Sequence, residues 1–92
     1  MIKSFIHKGL KKFYETGNTA GINSAHSNRI KIRLVALDTA TNVKDMDLPG
    51  FRLHSLSGKL KDLWAIDVNK AWRITFKFEN GAAYIVNYEN YH

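Results

Sequence analysis

The chain has no cysteine. Disulfides and thiolate metal sites are therefore excluded, and a small domain without them suits a reducing compartment. No apolar run approaches the roughly 20 residues of a membrane span, or the shorter core of a secretory signal. The sequence thus gives no export or insertion signal, and a cytoplasmic protein without a membrane partner is expected. Proline occurs once, at Pro49, and there is no repeat or low-complexity tract, so no interdomain linker is expected. Common catalytic signatures are missing too: no Gly-rich phosphate loop, no HExxH-type helix, no nucleophile elbow. Asp67 and Glu89 lack the paired-carboxylate setting of a metal site, so neither metal nor cofactor is expected.

Acidic residues are scarce. Eight Asp/Glu stand against fourteen Lys/Arg, a net charge of +6. The imbalance is concentrated: residues 1–46 hold eight Lys/Arg and three Asp/Glu, and residues 47–92 hold six and five. A small domain with a basic half suits a polyanionic partner, either nucleic acid or an acidic protein, although such charge also serves solubility alone. What remains is ordinary globular composition. With 92 residues, 45% of them hydrophobic and including two Trp, five Phe and four Tyr, residues 1–92 make one domain with a modest core.

The strongest local pattern is Trp72-Arg73-Ile74-Thr75-Phe76-Lys77-Phe78. Its strict alternation puts Trp72, Ile74, Phe76 and Phe78 on one face, and Arg73, Thr75 and Lys77 on the other, as in a half-buried strand. Asn80-Gly81 follows, the dipeptide that favours a tight hairpin turn. A return strand runs through Ala83-Tyr84-Ile85-Val86-Asn87-Tyr88. The register is open: a two-residue loop puts Ile85 opposite Phe76, and a three-residue loop puts Tyr84 there.

Upstream, Met1–Phe5 reads as a short strand. His7–Thr16 reads as a helix, with Leu10, Phe13 and Tyr14 as its apolar stripe and Gly17 as its stop. Ser24 can cap a second helix running to about Ala40, with Ile30, Leu34 and Leu37 on its apolar stripe. Leu48-Pro49-Gly50 marks a turn. Phe51–Leu56 and Leu63–Val68 read as two further strands, separated by a basic loop over 57–62. The expected fold is α+β, in the order β-α-α-β-β-β-β. Two helices pack on one face of a twisted, mainly antiparallel sheet, and the other face is left open.

That open face is where chemistry is expected. Alternation aims Arg52 and His54 outward from one strand and Arg73 from another. Lys59 and Lys61 come from the loop, and Tyr91 and His92 follow the last strand. Cations beside two imidazoles suit metal-independent cleavage of RNA, because the ribose 2′-hydroxyl is itself the nucleophile. His7 and His26 have no partner at ligand spacing and are read as surface residues.

The chain resembles the HigB toxins of the RelE/ParE superfamily. The resemblance is carried by Met1-Ile2-Lys3-Ser4-Phe5, by Arg52-Leu53-His54-Ser55-Leu56-Ser57-Gly58, by Trp72-Arg73-Ile74-Thr75-Phe76, and by Asn87-Tyr88-Glu89-Asn90-Tyr91-His92. It implies a RelE-like fold and a type II toxin that cuts mRNA in the ribosomal A site, without a metal. It also implies inhibition by a HigA-type helix-turn-helix antitoxin, whose complex with the toxin binds operator DNA. The resemblance makes Arg73 the transition-state stabiliser, and His54 and His92 the proton-transfer pair with acid and base unassigned. It makes Asn90 and Tyr91 site-shaping residues, while Arg52, Lys59 and Lys61, the cations read above on the open face, are expected as further contacts to substrate.

Two positions depart from the family's pattern. Ser57 stands where Lys is common, so Lys59 or Lys61 would supply that cation. Asn90 stands where Asp is common and cannot ionise. The cations Lys8, Lys11, Lys12, Arg29, Lys31 and Arg33 of the two helices are expected to meet ribosomal RNA. The alternative within the superfamily is a ParE-like toxin that binds DNA gyrase and performs no chemistry.

Overall fold

The computed structural model describes residues 1–58 and 62–91. Two helices lie on one face of a four-stranded antiparallel sheet, as the sequence pattern predicts. Helix α1 (Lys8–Thr16) opens with the His7 imidazole, whose Nδ1 accepts from the Leu10 N–H at 2.9 Å. It ends at Gly17, whose left-handed φ of 79° lets its N–H reach the Phe13 carbonyl. The second predicted helix begins as a single 3₁₀ turn at Ser24–His26 and continues as α2 (Ser27–Thr39). Asn23, not Ser24, provides the cap, accepting from the Ala25 N–H. A further 3₁₀ turn at Val43–Met46 is closed by a reciprocal Asn42–Asp45 capping box.

The strands are β1 (His54–Ser55), β2 (Trp64–Asp67), β3 (Trp72–Glu79) and β4 (Ala82–Asn90), in the spatial order β1-β2-β3-β4. Leu10 from α1, and Ile30, Leu34 and Leu37 from α2, meet Ile66, Ile74, Phe76, Val86 and Tyr88 from the sheet in one buried cluster. Gly9 and Gly21 allow α1 to cross the following loop at backbone contact. A Cβ on Gly9 would stand 2.2 Å from the Gly21 carbonyl oxygen.

The predicted first strand is shorter than the pattern suggests. Ile2 and Phe5 form isolated parallel bridges to Ala83 and Val86, along the outer edge of β4. The β3–β4 hairpin has the two-residue loop, with Glu79 opposite Ala82, and with Asn80 and Gly81 at φ of 52° and 75°. Yet Ile85 does not enter the core. The register shifts between Thr75 and Lys77, so Phe76 faces both Ile85 and Val86. Val86 is fully buried and Ile85 is turned outward at a φ of 49°. The cause lies in the first segment: Ser4 Oγ accepts from the Ile85 N–H at 2.8 Å, and the Ser4 carbonyl accepts from the Val86 N–H at 3.1 Å.

The strand predicted over Phe51–Leu56 shrinks to His54–Ser55. Pro49 and Gly50 make a turn closed by the Phe51 N–H and the Leu48 carbonyl, and Arg52 then adopts a left-handed φ of 50°. These two positive-φ residues hold Phe51–Leu53 off the regular ladder.

Two further residues are placed differently from expectation. His26 is buried, not on the surface. Its Nδ1 lies 2.6 Å from the Tyr88 hydroxyl, and its Nε2 lies 2.9 Å from the Asn69 side-chain amide nitrogen. Arg33 is also buried. Its guanidinium donates to the carbonyls of Asp67, Arg29 and Gly50, and stacks 4.5 Å from the Phe51 ring. Burial, reinforced by the like charge of Arg29, lowers its pKa, while Asp67 acts the other way. Arg33 thus joins helix to turns, and the exposed basic surface expected of α2 loses it.

Candidate functional site

Strand register assembles the candidate site. Residues paired across neighbouring strands share a face of the sheet. One row on the face away from the helices reads Asp67, Arg73, Glu89 across β2, β3 and β4. The next row reads His54, Ala65, Thr75, Asn87 across all four strands. Ala65 and Thr75 are small and buried, so they form a floor between larger flanking side chains. His54 and Arg73 stand two strands and one row apart, which is roughly 12 Å between backbones.

Arg73 is held on both sides. Its Nε donates to Glu89 Oε1 at 3.4 Å, and its guanidinium carbon lies 4.8 Å from the centre of the Tyr91 ring. Its side chain retains only 16% of its exposure. A delocalised cation anchored at Nε by a carboxylate and backed by an aromatic face keeps its terminal nitrogens as donors, a chemistry suited to phosphate oxygens. Sequence reasoning misses Glu89 as a site residue, although its place two residues after Asn87 on an alternating strand puts it on Arg73's face.

His54 is oriented by a backbone kink. Its Nδ1 lies 2.7 Å from the Arg52 carbonyl oxygen, which can only accept, so Nδ1 carries the hydrogen. In the neutral ring Nε2 is then the proton-accepting nitrogen. The left-handed turn at Arg52 brings that carbonyl to His54, and a non-glycine residue there carries strain of about 1–3 kcal/mol. The Arg52 guanidinium meanwhile reaches Asp67 Oδ2 at 3.1 Å while remaining 75% exposed.

The structure therefore brings Arg52, His54, Arg73 and Tyr91 to one face. Asn90 pairs with Trp72, and alternation assigns it to the helix side of the sheet. Lys8, Lys11, Lys12 and Lys31 are exposed on the helices, across the sheet from Arg73, and Arg29 is exposed near the end of β2. Lys59, Lys61 and His92 lie outside the described residues. Among the described residues no three His, Asp or Glu side chains are placed to share a metal ion. None of their helices is long and apolar enough to cross a membrane.

The layer arrangement has solved counterparts. The structure of a mutant YafQ from E. coli covers 99% of this chain and 94% of its own at a TM-score of 0.61, with 14% identity, a likeness of fold alone. The family described as "RelE-like toxin of type II toxin-antitoxin system HigB" matches residues 3–92. The chain is 50% identical to Endoribonuclease HigB of Proteus vulgaris over 92 residues, all of both proteins. It is 35% identical over 85 residues to Toxin HigB-1 of Vibrio cholerae serotype O1, 90% of each chain. This chain is thus a toxin of RelE-like fold. It belongs to the HigB-like toxins of type II toxin–antitoxin systems.

Proposed function

We propose that the chain is an endoribonuclease that cuts mRNA in the A site of the 70S ribosome and so stops translation in the cytoplasm. The observation that carries this reading is the juxtaposition of Arg73, backed by Tyr91 and Glu89, with His54 on one face. The name of the relative at 50% identity, Endoribonuclease HigB, points the same way. In this scheme His54 Nε2 removes the proton from a ribose 2′-hydroxyl. The 2′-oxygen forms a bond to the adjacent phosphorus, and the bond from phosphorus to the 5′-oxygen breaks. His92, assigned from the family resemblance, returns a proton to the leaving 5′-oxygen. Arg73 stabilises the negative charge that grows on the non-bridging oxygens. The products are a 2′,3′-cyclic phosphate and a free 5′-hydroxyl, and no metal is needed to generate the nucleophile.

Arg52 and Tyr91 contact the substrate, with Lys59 and Lys61 assigned beside them from the basic loop of the sequence and Asn90 by resemblance. Lys8, Lys11, Lys12, Lys31 and Arg29 supply salt-dependent attraction to ribosomal RNA. As a type II toxin the chain has an antitoxin partner, here proposed to be of the HigA helix-turn-helix type, whose complex with the toxin binds operator DNA.

Primer extension on a defined mRNA, held on ribosomes with an AAA codon in the A site, tests the reading. Naked mRNA and Arg73→Ala run beside it. Cleavage only on ribosomes, reduced about 10²–10³-fold in Arg73→Ala, is expected. No cleavage by the parent in either setting overturns the enzymatic reading and directs the search to DNA gyrase.

A further inference from the structure

Tyr91 lies past the last pair of the β3–β4 ladder, in which Asn90 faces Trp72. It is exposed, yet its ring centre stands 4.8 Å from the Arg73 guanidinium carbon. A residue beyond a ladder keeps its direction through bonds made outside that ladder, because strand ends open at small cost. Here the Tyr91 N–H donates to the Ala71 carbonyl at 3.0 Å. Ala71 ends the short connection, residues 69–71, that joins β2 to β3. The shape of that connection therefore sets the seat of Tyr91.

Asn69 fixes the connection. Its Oδ1 accepts the N–H groups of Ala71 and Trp72 at 2.8 and 2.9 Å. The Trp72 N–H and the Ala71 carbonyl belong to one planar trans peptide unit, and they point in opposite directions. Holding the N–H from one side aims the carbonyl to the other, where Tyr91 stands. A peptide unit bonded at its N–H is also polarised into a better acceptor at its oxygen. An unrestrained Asn amide can turn over and present nitrogen in place of oxygen. His26 prevents this, because its Nε2 lies 2.9 Å from Asn69 Nδ2. His26 is itself buried and held at Nδ1, 2.6 Å from the Tyr88 hydroxyl. A continuous line of bonds thus runs from a buried imidazole through Asn69 and the Ala71–Trp72 peptide unit to Tyr91, whose ring backs Arg73.

We infer that Asn69 is a positioning residue for the reaction: through the Ala71–Trp72 peptide unit it seats Tyr91 against Arg73, and so holds the guanidinium in place. This rests on the reading of Arg73 as the group that stabilises charge on the phosphate, and it adds the device that holds that group. The role differs from that of an ordinary turn cap. A cap that only stabilises the fold lowers the folded fraction and leaves the folded molecules equally active. A positioning residue changes the rate of the folded molecules themselves, and does so only while the Tyr91 ring is there to be moved.

The test uses the whole protein well below its unfolding temperature, with circular dichroism as the check of fold. In Asn69→Ala the Tyr91 amide should exchange with solvent at least about tenfold faster, as its bond to Ala71 loosens. The NMR signal of the Arg73 Nε–H, which lies under the influence of the Tyr91 ring, should move. Cleavage on ribosomes is read in single turnover. The rate at saturating protein should fall about 10–10²-fold in Asn69→Ala, with the half-saturating concentration nearly unchanged. Tyr91→Leu removes the ring alone, and in that background Asn69→Ala should change the rate by less than about threefold. A further loss of about tenfold in that background, or unmoved Tyr91 and Arg73 signals in folded Asn69→Ala, overturns the inference. Where Asn69→Ala does not fold, His26→Leu, which frees the Asn69 amide to turn, is read by the same signals and the same limits. Failure of the cleavage reading is seen separately: the parent leaves mRNA on ribosomes intact, and the NMR signals still decide whether Asn69 seats Tyr91.

Discussion

Replacing Tyr88 by Phe removes one oxygen and isolates the energy of a buried polar chain. The Asn69 side-chain oxygen accepts the Ala71 and Trp72 N–H groups at 2.8 and 2.9 Å. The amide nitrogen must therefore be the atom that faces His26 Nε2, and Nε2 must accept. The hydrogen of His26 is then on Nδ1 and donates to the Tyr88 hydroxyl at 2.6 Å. Tyr88 is 4% exposed and His26 9%, so water is a poor substitute partner. Burial also raises the pKa of Tyr88, and its hydroxyl stays protonated across the neutral range. Tyr88→Phe keeps the ring stacked 4.6 Å from Trp72, and leaves the Nδ1 donor unpaired. An unsatisfied buried donor costs about 1–3 kcal/mol. For a domain of this length about 2 kcal/mol lowers Tm by roughly 8–16 °C. Thermal and urea unfolding followed by circular dichroism measure it directly. In a His26→Leu background the same change should cost at least about 1 kcal/mol less, since the donor is already gone. A Tm within about 2 °C of the parent would refute the assigned tautomer and the chain of bonds built on it.

Gly9→Ala should destabilise by about 1–3 kcal/mol in urea unfolding, because a Cβ there meets the Gly21 backbone and not a movable side chain. Arg52→Gly should be more stable than Arg52→Ala by about 1 kcal/mol, since both lose the guanidinium but only Gly relaxes at a φ of 50°. Equal unfolding midpoints would remove the claim of strain. Asp38 accepts the Ile2 N–H, which holds its pKa below the usual carboxylate value, with the Tyr14 hydroxyl adding to the effect. Its contribution is therefore full above the ordinary carboxylate range and is lost as pH falls through the depressed folded value. Asp38→Asn should be less stable than the parent at neutral pH, and the gap should close on acidification in a pH series of denaturation midpoints.

Local chemistry made much of this molecule legible. The alternation of Trp72–Phe78, the Asn80-Gly81 turn and the stripe Ile30, Leu34, Leu37 are short-range patterns, and each appears where the sequence places it. Arg73 could be assigned to the outer face from period alone. The misread residues answer to distant partners. His26 is buried by Tyr88, 62 positions away, and Arg33 by the Asp67 carbonyl, 34 positions away. No short window of sequence contains both halves of either contact. Arg52 illustrates a second limit: nothing in its side chain announces a left-handed backbone, which the Pro49-Gly50 turn and the Asp67 partner impose together. Asp67 has no second carboxylate to mark it in the sequence, and its significance lies in the cations that α2 and two turns bring around it.

The clasp between Ser4 and the bulge at Ile85 spans 81 positions. Synthesis is vectorial, so the first segment has no edge to join until β4 has emerged. The same strand carries Glu89 and leads to Tyr91, the two groups that hold the Arg73 guanidinium. A nascent chain of this toxin thus has neither a closed sheet nor a seated arginine while β4 is still inside the exit tunnel. A product of interrupted translation that stops before Ile85 lacks both. The arrangement around Arg73 is completed only after synthesis has passed Tyr91.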